Sequence, residues 1–127
     1  MTDIHVLKKT EKEVVLKIYS TSSSGNTYQI ELNSDYIKLP TETYVTGQSE
    51  VTIQEFFWGA KVNKQLDISR VANTVANTVH GHYYLYGTGH YNFVGFVDNT
   101  YSNGAVRITS DGAFHLLIKL KKNGYEL

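Results

Sequence analysis

An all-β fold, an antiparallel β-sandwich or partly closed barrel forming one domain over residues 1–127, is what this sequence predicts. Three observations predict it. Apolar and polar residues alternate with a period of two in stretch after stretch, as side chains do on a half-buried strand. Turn-forming residues interrupt these stretches about every eight to twelve positions, which suits about eight to ten short strands. The composition holds ten tyrosines and ten glycines but a single proline, favouring strands joined by tight turns over proline-rich linkers.

Residues 8–12 are charge-rich and read as a solvated lead-in. Residues 13–19 (Glu-Val-Val-Leu-Lys-Ile-Tyr) form the first long strand. The loop 20–26 is Ser-, Gly- and Asn-rich, and 28–32 alternates cleanly, with Tyr28, Ile30 and Leu32 inward, so these two strands are expected to form a hairpin. Residues 36–39 make a short edge strand stopped by Pro40. Residues 41–50 carry no firm signal. A strand over 51–58 ends in Phe56, Phe57 and Trp58 before Gly59, and 65–71 alternates with Leu66, Ile68 and Arg70 on one side.

The only internal repeat, residues 71–79 (Val-Ala-Asn-Thr-Val-Ala-Asn-Thr-Val), has valines at helical spacing but is built of poor helix formers without a cap. It reads as an irregular connection, with one short helix as the alternative. Residues 80–86 form the next strand, and 90–97 are its expected hairpin partner across Gly87-Thr88-Gly89.

The last stretch, from Gly104 to Leu120, organises the rest. Val106 and Ile108 share a face, as do Phe114, Leu116, Ile118 and Leu120. If the two strands pair, a two-residue loop sends the second apolar row to the wrong side. A three-residue loop, Ser110-Asp111-Gly112, sets Ile108 opposite Phe114 and Val106 opposite Leu116, with Gly112 left-handed. Arg107, Thr109 and His115 then line the wetter face, with Leu117 as its apolar exception. Lys119, Lys121 and Lys122 guard the strand end against edge pairing.

Composition narrows the function. With no cysteine, disulfides and thiolate metal sites are excluded. Lys+Arg and Asp+Glu balance at 12 each, which argues against nucleic acid or an anionic membrane as the main partner. No apolar run approaches the ~20 residues of a membrane-spanning helix. The first residues lack the order of a signal peptide, so use without secretion is expected.

His80, His82 and His90 are the best metal candidates, with His80 and His82 placed on one side of a strand. The glutamate that follows a His-x-His start in cupin-type sites is missing, and hydrogen bonding is the expected role. Serines lie in loop runs without a nucleophile elbow, and the carboxylates Glu31, Asp35, Glu42, Glu50, Glu55, Asp67 and Asp98 are scattered singly, as solvated or turn residues. No enzyme activity, metal or cofactor is therefore expected. The surface set Phe56, Phe57, Trp58, Tyr83, Tyr84, Tyr86 and Tyr91 carries the functional signal. Core packing takes part of it, and the remainder suits a protein–protein interface with Trp58 as an anchor. Stacking on sugar rings is the rival reading.

The order of Val-Val-Leu-Lys-Ile-Tyr at 14–19, the Val51-Thr-Ile53 strand ending at Trp58, Leu66-Asp-Ile-Ser-Arg70, and Asp111-Gly112 followed by Leu-Leu-Ile-Lys-Leu-Lys-Lys-Asn-Gly-Tyr125 resembles small all-β virion structural proteins of tailed bacteriophages. These decorate a capsid or join head to tail. The resemblance implies a non-enzymatic assembly protein, made in the host cytoplasm and located in the virion. It also implies a homo-oligomer whose partners are capsid or tail subunits, with no role for nucleic acid or membrane. The alternative is a carbohydrate-binding module on a host-recognition device.

Overall fold

The computed structural model describes residues 2–72 and 78–126. Among them are nine strands and no helix: β1 (Thr2–Lys9), β2 (Glu13–Ser20), β3 (Asn26–Ile30), β4 (Glu50–Ala60), β5 (Leu66–Val71), β6 (Val79–Leu85), β7 (Thr88–Asn92), β8 (Val106–Ser110) and β9 (Phe114–Asn123). They form two antiparallel sheets, a five-stranded one in the order β1-β2-β9-β4-β7 (sheet A) and a four-stranded one in the order β3-β8-β5-β6 (sheet B). This is the expected sandwich. The question of a helix within 71–79 falls largely on residues 73–77, outside the described residues.

The alternation was read correctly for which side of β2 and β9 faces inward. Val14, Leu16 and Ile18 of β2 and Leu116, Ile118 and Leu120 of β9 are fully buried, facing Ile30, Ile68, Val106 and Ile108 of sheet B. Each such side chain contributes roughly 1.5–3 kcal/mol by leaving water, so this double row holds the sandwich closed.

The pairing partners are a different matter. The three expected hairpins are absent, because β2 and β3, β6 and β7, and β8 and β9 each lie in opposite sheets. Ile108 pairs with Tyr28 and Ile68, not Phe114, and Val106 pairs with Ile30 and Arg70, not Leu116. Gly112 is not in the left-handed region. It is buried, and a Cβ there would stand 3.0 Å from Lys64 Cγ, so packing and not backbone strain limits that position.

Other corrections follow from the same geometry. Lys8 and Lys9, read as part of a solvated lead-in, instead end the edge strand β1, which pairs along β2 with a bulge between Val6 and Lys8. Residues 33–38 form turns, with the Ile37 and Lys38 amides both donating to the Ser34 carbonyl, so the predicted edge strand over 36–39 is absent. β4 continues through Gly59 to Ala60. β7 stops at Asn92, and 93–97 is a loop. β9 lies in the middle of sheet A, so its lysines guard no edge. Lys122 is buried and ion-paired with Glu42, which is itself buried and not a solvated carboxylate.

Candidate interaction surface

The seven rings that the sequence divides between core and interface occupy three places. Phe56 is fully buried and sits at the centre of a cluster that fills the gap between the two edge strands β6 and β7. Its ring centroid lies 5.6 Å from both Trp58 and Tyr83, 5.7 Å from Tyr91 and 5.9 Å from Phe93. A bulge at Gln54 produces this arrangement. Val51 and Ile53 face inward, the register then shifts by one residue, and Phe56 and Trp58 face inward in turn.

Trp58 is half-buried, donates its indole N–H to the Tyr86 carbonyl at 3.1 Å, and rests on Gly89, where a Cβ would stand 2.5 Å from the ring. Phe56 is thus core rather than interface. Trp58 is bound into the same cluster, so its removal is expected to weaken folding before any assembly, contrary to its reading as a surface anchor.

The Tyr83 hydroxyl donates to the Asp98 carboxylate. Burial and that bond push the Tyr83 hydroxyl well above the usual range. Partial burial acts to raise the Asp98 carboxyl, but hydrogen bonds from Tyr83 and Thr100 and the nearby Arg70 cation outweigh it and hold the group below its ordinary value. A carboxylate depressed on folding adds stability above its unfolded pKa, near ~3.9, and that stability is lost as pH falls through the lower folded value. Asp98→Asn is therefore expected to flatten the acid limb of stability below about pH 4, read as melting temperature against pH. An acid limb unchanged in the variant would refute the assignment.

The second place is the outer face of sheet A. Cross-strand neighbours share a face, and the register aligns Lys17, Leu117, Phe57 and His90 in one row across β2, β9, β4 and β7. The His90 ring lies flat on Phe57, with centroids 3.9 Å apart and 3° between planes, and its Nε2 stands 2.7 Å from Glu55 Oε2. In the next row His115 lies over Gly59, where any Cβ would meet the imidazole at 2.2 Å. The Tyr19 hydroxyl donates to Asp3 at 2.7 Å. Leu7, beside the β1 bulge, is 56% exposed and Phe57 is 44% exposed. Leu7, Lys17, Tyr19, His115 and Leu117 line an open groove of about 650 Å³ on this face.

The third place is the outer face of sheet B, where Tyr84 and Tyr86 are exposed. Tyr84 stacks on His82 at 5.1 Å and 4°, and His82 Nδ1 lies 2.8 and 3.0 Å from the two Asp67 oxygens. The Tyr86 hydroxyl accepts from Gln65 Nε2 at 2.8 Å.

The histidines do not converge. His90 belongs to sheet A and His82 to sheet B. Gly81, at a φ of +66°, sits in a β6 bulge that puts two residues, Gly81 and His82, between inward-paired positions, His80 opposite Arg70 and Tyr83 opposite Ile68. That slip turns His82 outward, so His80 and His82 do not share a side. The carboxylates beside His82 and His90 come from neighbouring strands, where sequence spacing does not show them. Among the described residues no three His, Asp or Glu side chains are placed to hold a metal ion.

Sequence reasoning missed Leu7, hidden among lysines, and the loop 93–97. Val94, Phe96 and Val97 are 79%, 77% and 73% exposed. The signal was present in Phe-Val-Gly-Phe-Val, which contains no polar residue and so fits no half-solvated strand. Leu117, set apart as the apolar exception on a wet face, is at the centre of the outer surface of sheet A.

Comparison with protein-family models finds no family that matches the chain, and comparison with curated proteins finds no relative.

Proposed function

We propose that this chain is a non-enzymatic assembly subunit of a bacteriophage particle, attached to neighbouring capsid or tail subunits through the outer face of sheet A. The supporting observation is the apolar groove and ring row of that face, from Leu7 through Leu117 to Phe57 and His90. The resemblance to small phage virion proteins supplies the setting. Rigid sheets that present side chains outward without rearrangement suit repeated, symmetric contacts.

The test is Leu117→Lys combined with Phe57→Ser. Placing a charge and a hydroxyl on this face is expected to weaken co-assembly with the native particle by at least tenfold, about 1.4 kcal/mol. The inward rows are untouched, so the thermal midpoint is expected to stay near that of the unaltered protein. Full assembly by the double variant, read by electron microscopy of reconstituted particles, would overturn the proposal.

The braced rings Tyr84 and Tyr86 favour one second reading, a sugar-binding face on sheet B. Binding on a glycan array that disappears in Tyr84→Ala, with assembly intact, would replace the first reading by this one.

A further inference from the structure

The exposed loop 93–97 and the groove on sheet A are complementary features of one chain. The loop carries three side chains that are each more than 70% exposed, with no charge between Tyr91 and Val97. Phe93 anchors it from beneath: its side chain is buried in the ring cluster and its amide donates to the Gln54 carbonyl at 2.9 Å. Asp98 fixes the far end by accepting from Tyr83 and from the Thr100 amide. The loop is therefore a supported apolar knob. It lies against β4 around Thr52, Gln54 and Glu55. The groove lies over β1, β2 and β9 and shares no lining residue with the hollows beside the loop. Its only charged lining residue is Lys17, whose ammonium stands 5.8 Å over the Tyr19 ring.

We infer that the occupant of the groove is a second copy of this chain, which inserts Val94, Phe96 and Val97 over Leu7 and Leu117. This rests on the reading of sheet A as an assembly face and names the partner. Knob and groove flank the same outer face of sheet A, with Glu55 and Lys119 between them, so copies can exchange knobs within a closed pair or pass them on to further copies.

One phenylalanine and two valines bury on the order of 800 Å² counted over both partners, below the roughly 1,200 Å² of a stable specific interface. A single contact is therefore weak in dilute solution. Repetition along a row of copies, or on a particle, strengthens it by raising the local concentration.

The experiment is sedimentation of the full chain over a concentration series, with Phe96→Ser disabling the knob and Leu7→Asp disabling the groove. Both positions are exposed, so folding is expected to survive. The expected result has four parts. The unaltered chain reaches at least dimer mass as concentration rises toward roughly millimolar. Phe96→Ser alone is monomeric. Leu7→Asp alone is monomeric. A one-to-one mixture of the two variants forms dimers and stops there, because it retains one good knob and one good groove.

Association that survives in either single variant would overturn the inference. So would a monomeric mixture. A chain that stays monomeric at every concentration but still joins the particle through Leu117 and Phe57 would sink this inference and leave the proposed function standing.

Discussion

Arg70→Met is expected to lower folding stability by about 3 kcal/mol, one of the two largest effects of any single change outside the aliphatic core. Arg70 is a buried guanidinium that joins its own strand to two other pieces of chain. Nη1 donates to the Val51 carbonyl at 2.5 Å, and Nη2 donates to the carbonyls of Ser102 and Gly104 at 2.8 and 2.7 Å. It therefore ties the start of β4 and the 98–104 loop to β5. Burial presses its pKa down to about 10, partly offset by Asp98, Tyr125 and Glu50, so it remains a cation at neutral pH.

Two effects oppose each other in the variant. Three charge-assisted bonds are lost, each worth about 1.5–3 kcal/mol, while the desolvation of a buried cation is relieved. The bonds win, because thioether sulfur gives the three carbonyls no donor. Arg70→Lys keeps the charge without the fork and is expected to fall between the two. Urea denaturation measures the midpoint. Hydrogen exchange at the Val51 and Val71 amides, which donate to the Ser102 and Ala105 carbonyls, reports the loosened loop. A midpoint unchanged in Arg70→Met would show that the clamp contributes nothing.

Lys122→Met is the second. The Lys122 ammonium is ion-paired with Glu42 and donates to the Thr10 carbonyl at 2.9 Å, and neither side chain reaches solvent. Glu42 also accepts from the Leu39 amide at 2.8 Å, and its carbonyl accepts from Lys38 at 2.9 Å. This pair pins the 33–49 segment to β9, where Leu32 and Ile37 close one end of the core. Removing the lysine leaves a buried carboxylate with a single donor, for an expected loss of about 3–5 kcal/mol. Glu42→Gln added to Lys122→Met removes the stranded charge and is expected to restore much of that loss. A double-mutant cycle on denaturation midpoints checks it. A double variant no more stable than Lys122→Met alone would show that the pair itself is not what matters.

Much of the fold was legible in the chain, and the illegible part has one physical cause. Alternation reports which side of a strand is dry. It does not report whether the next dry strand lies beside it or across the core, since Ile108 and Phe114 point into the same interior either way. Three expected hairpins failed on that ambiguity.

Bulges were the second obstacle. Three single-residue slips, near Leu7, at Gln54 and where Ser69 faces Gly81 and His82, reverse the parity that a period-two reading assumes. They turned His82 outward and gave Phe56 to the core. Lys122 was misread because charge alone says nothing about an acid eighty positions away. The surface rings Phe57, Tyr84, Tyr86 and Tyr91 were legible as exposed positions. The loop 93–97 was not, because a run of apolar residues looks like a strand until its lack of polar partners is weighed.

The order of strands in sheet A also bears on how the molecule comes into being. Its central member, β9, lies between β2 and β4 and is reached only after the other eight strands. The β1–β2 ribbon must therefore wait for its neighbour until residues 114–123 have been synthesised. Such distant pairings make for slow maturation in the millisecond-to-second range and a window of vulnerability to clumping.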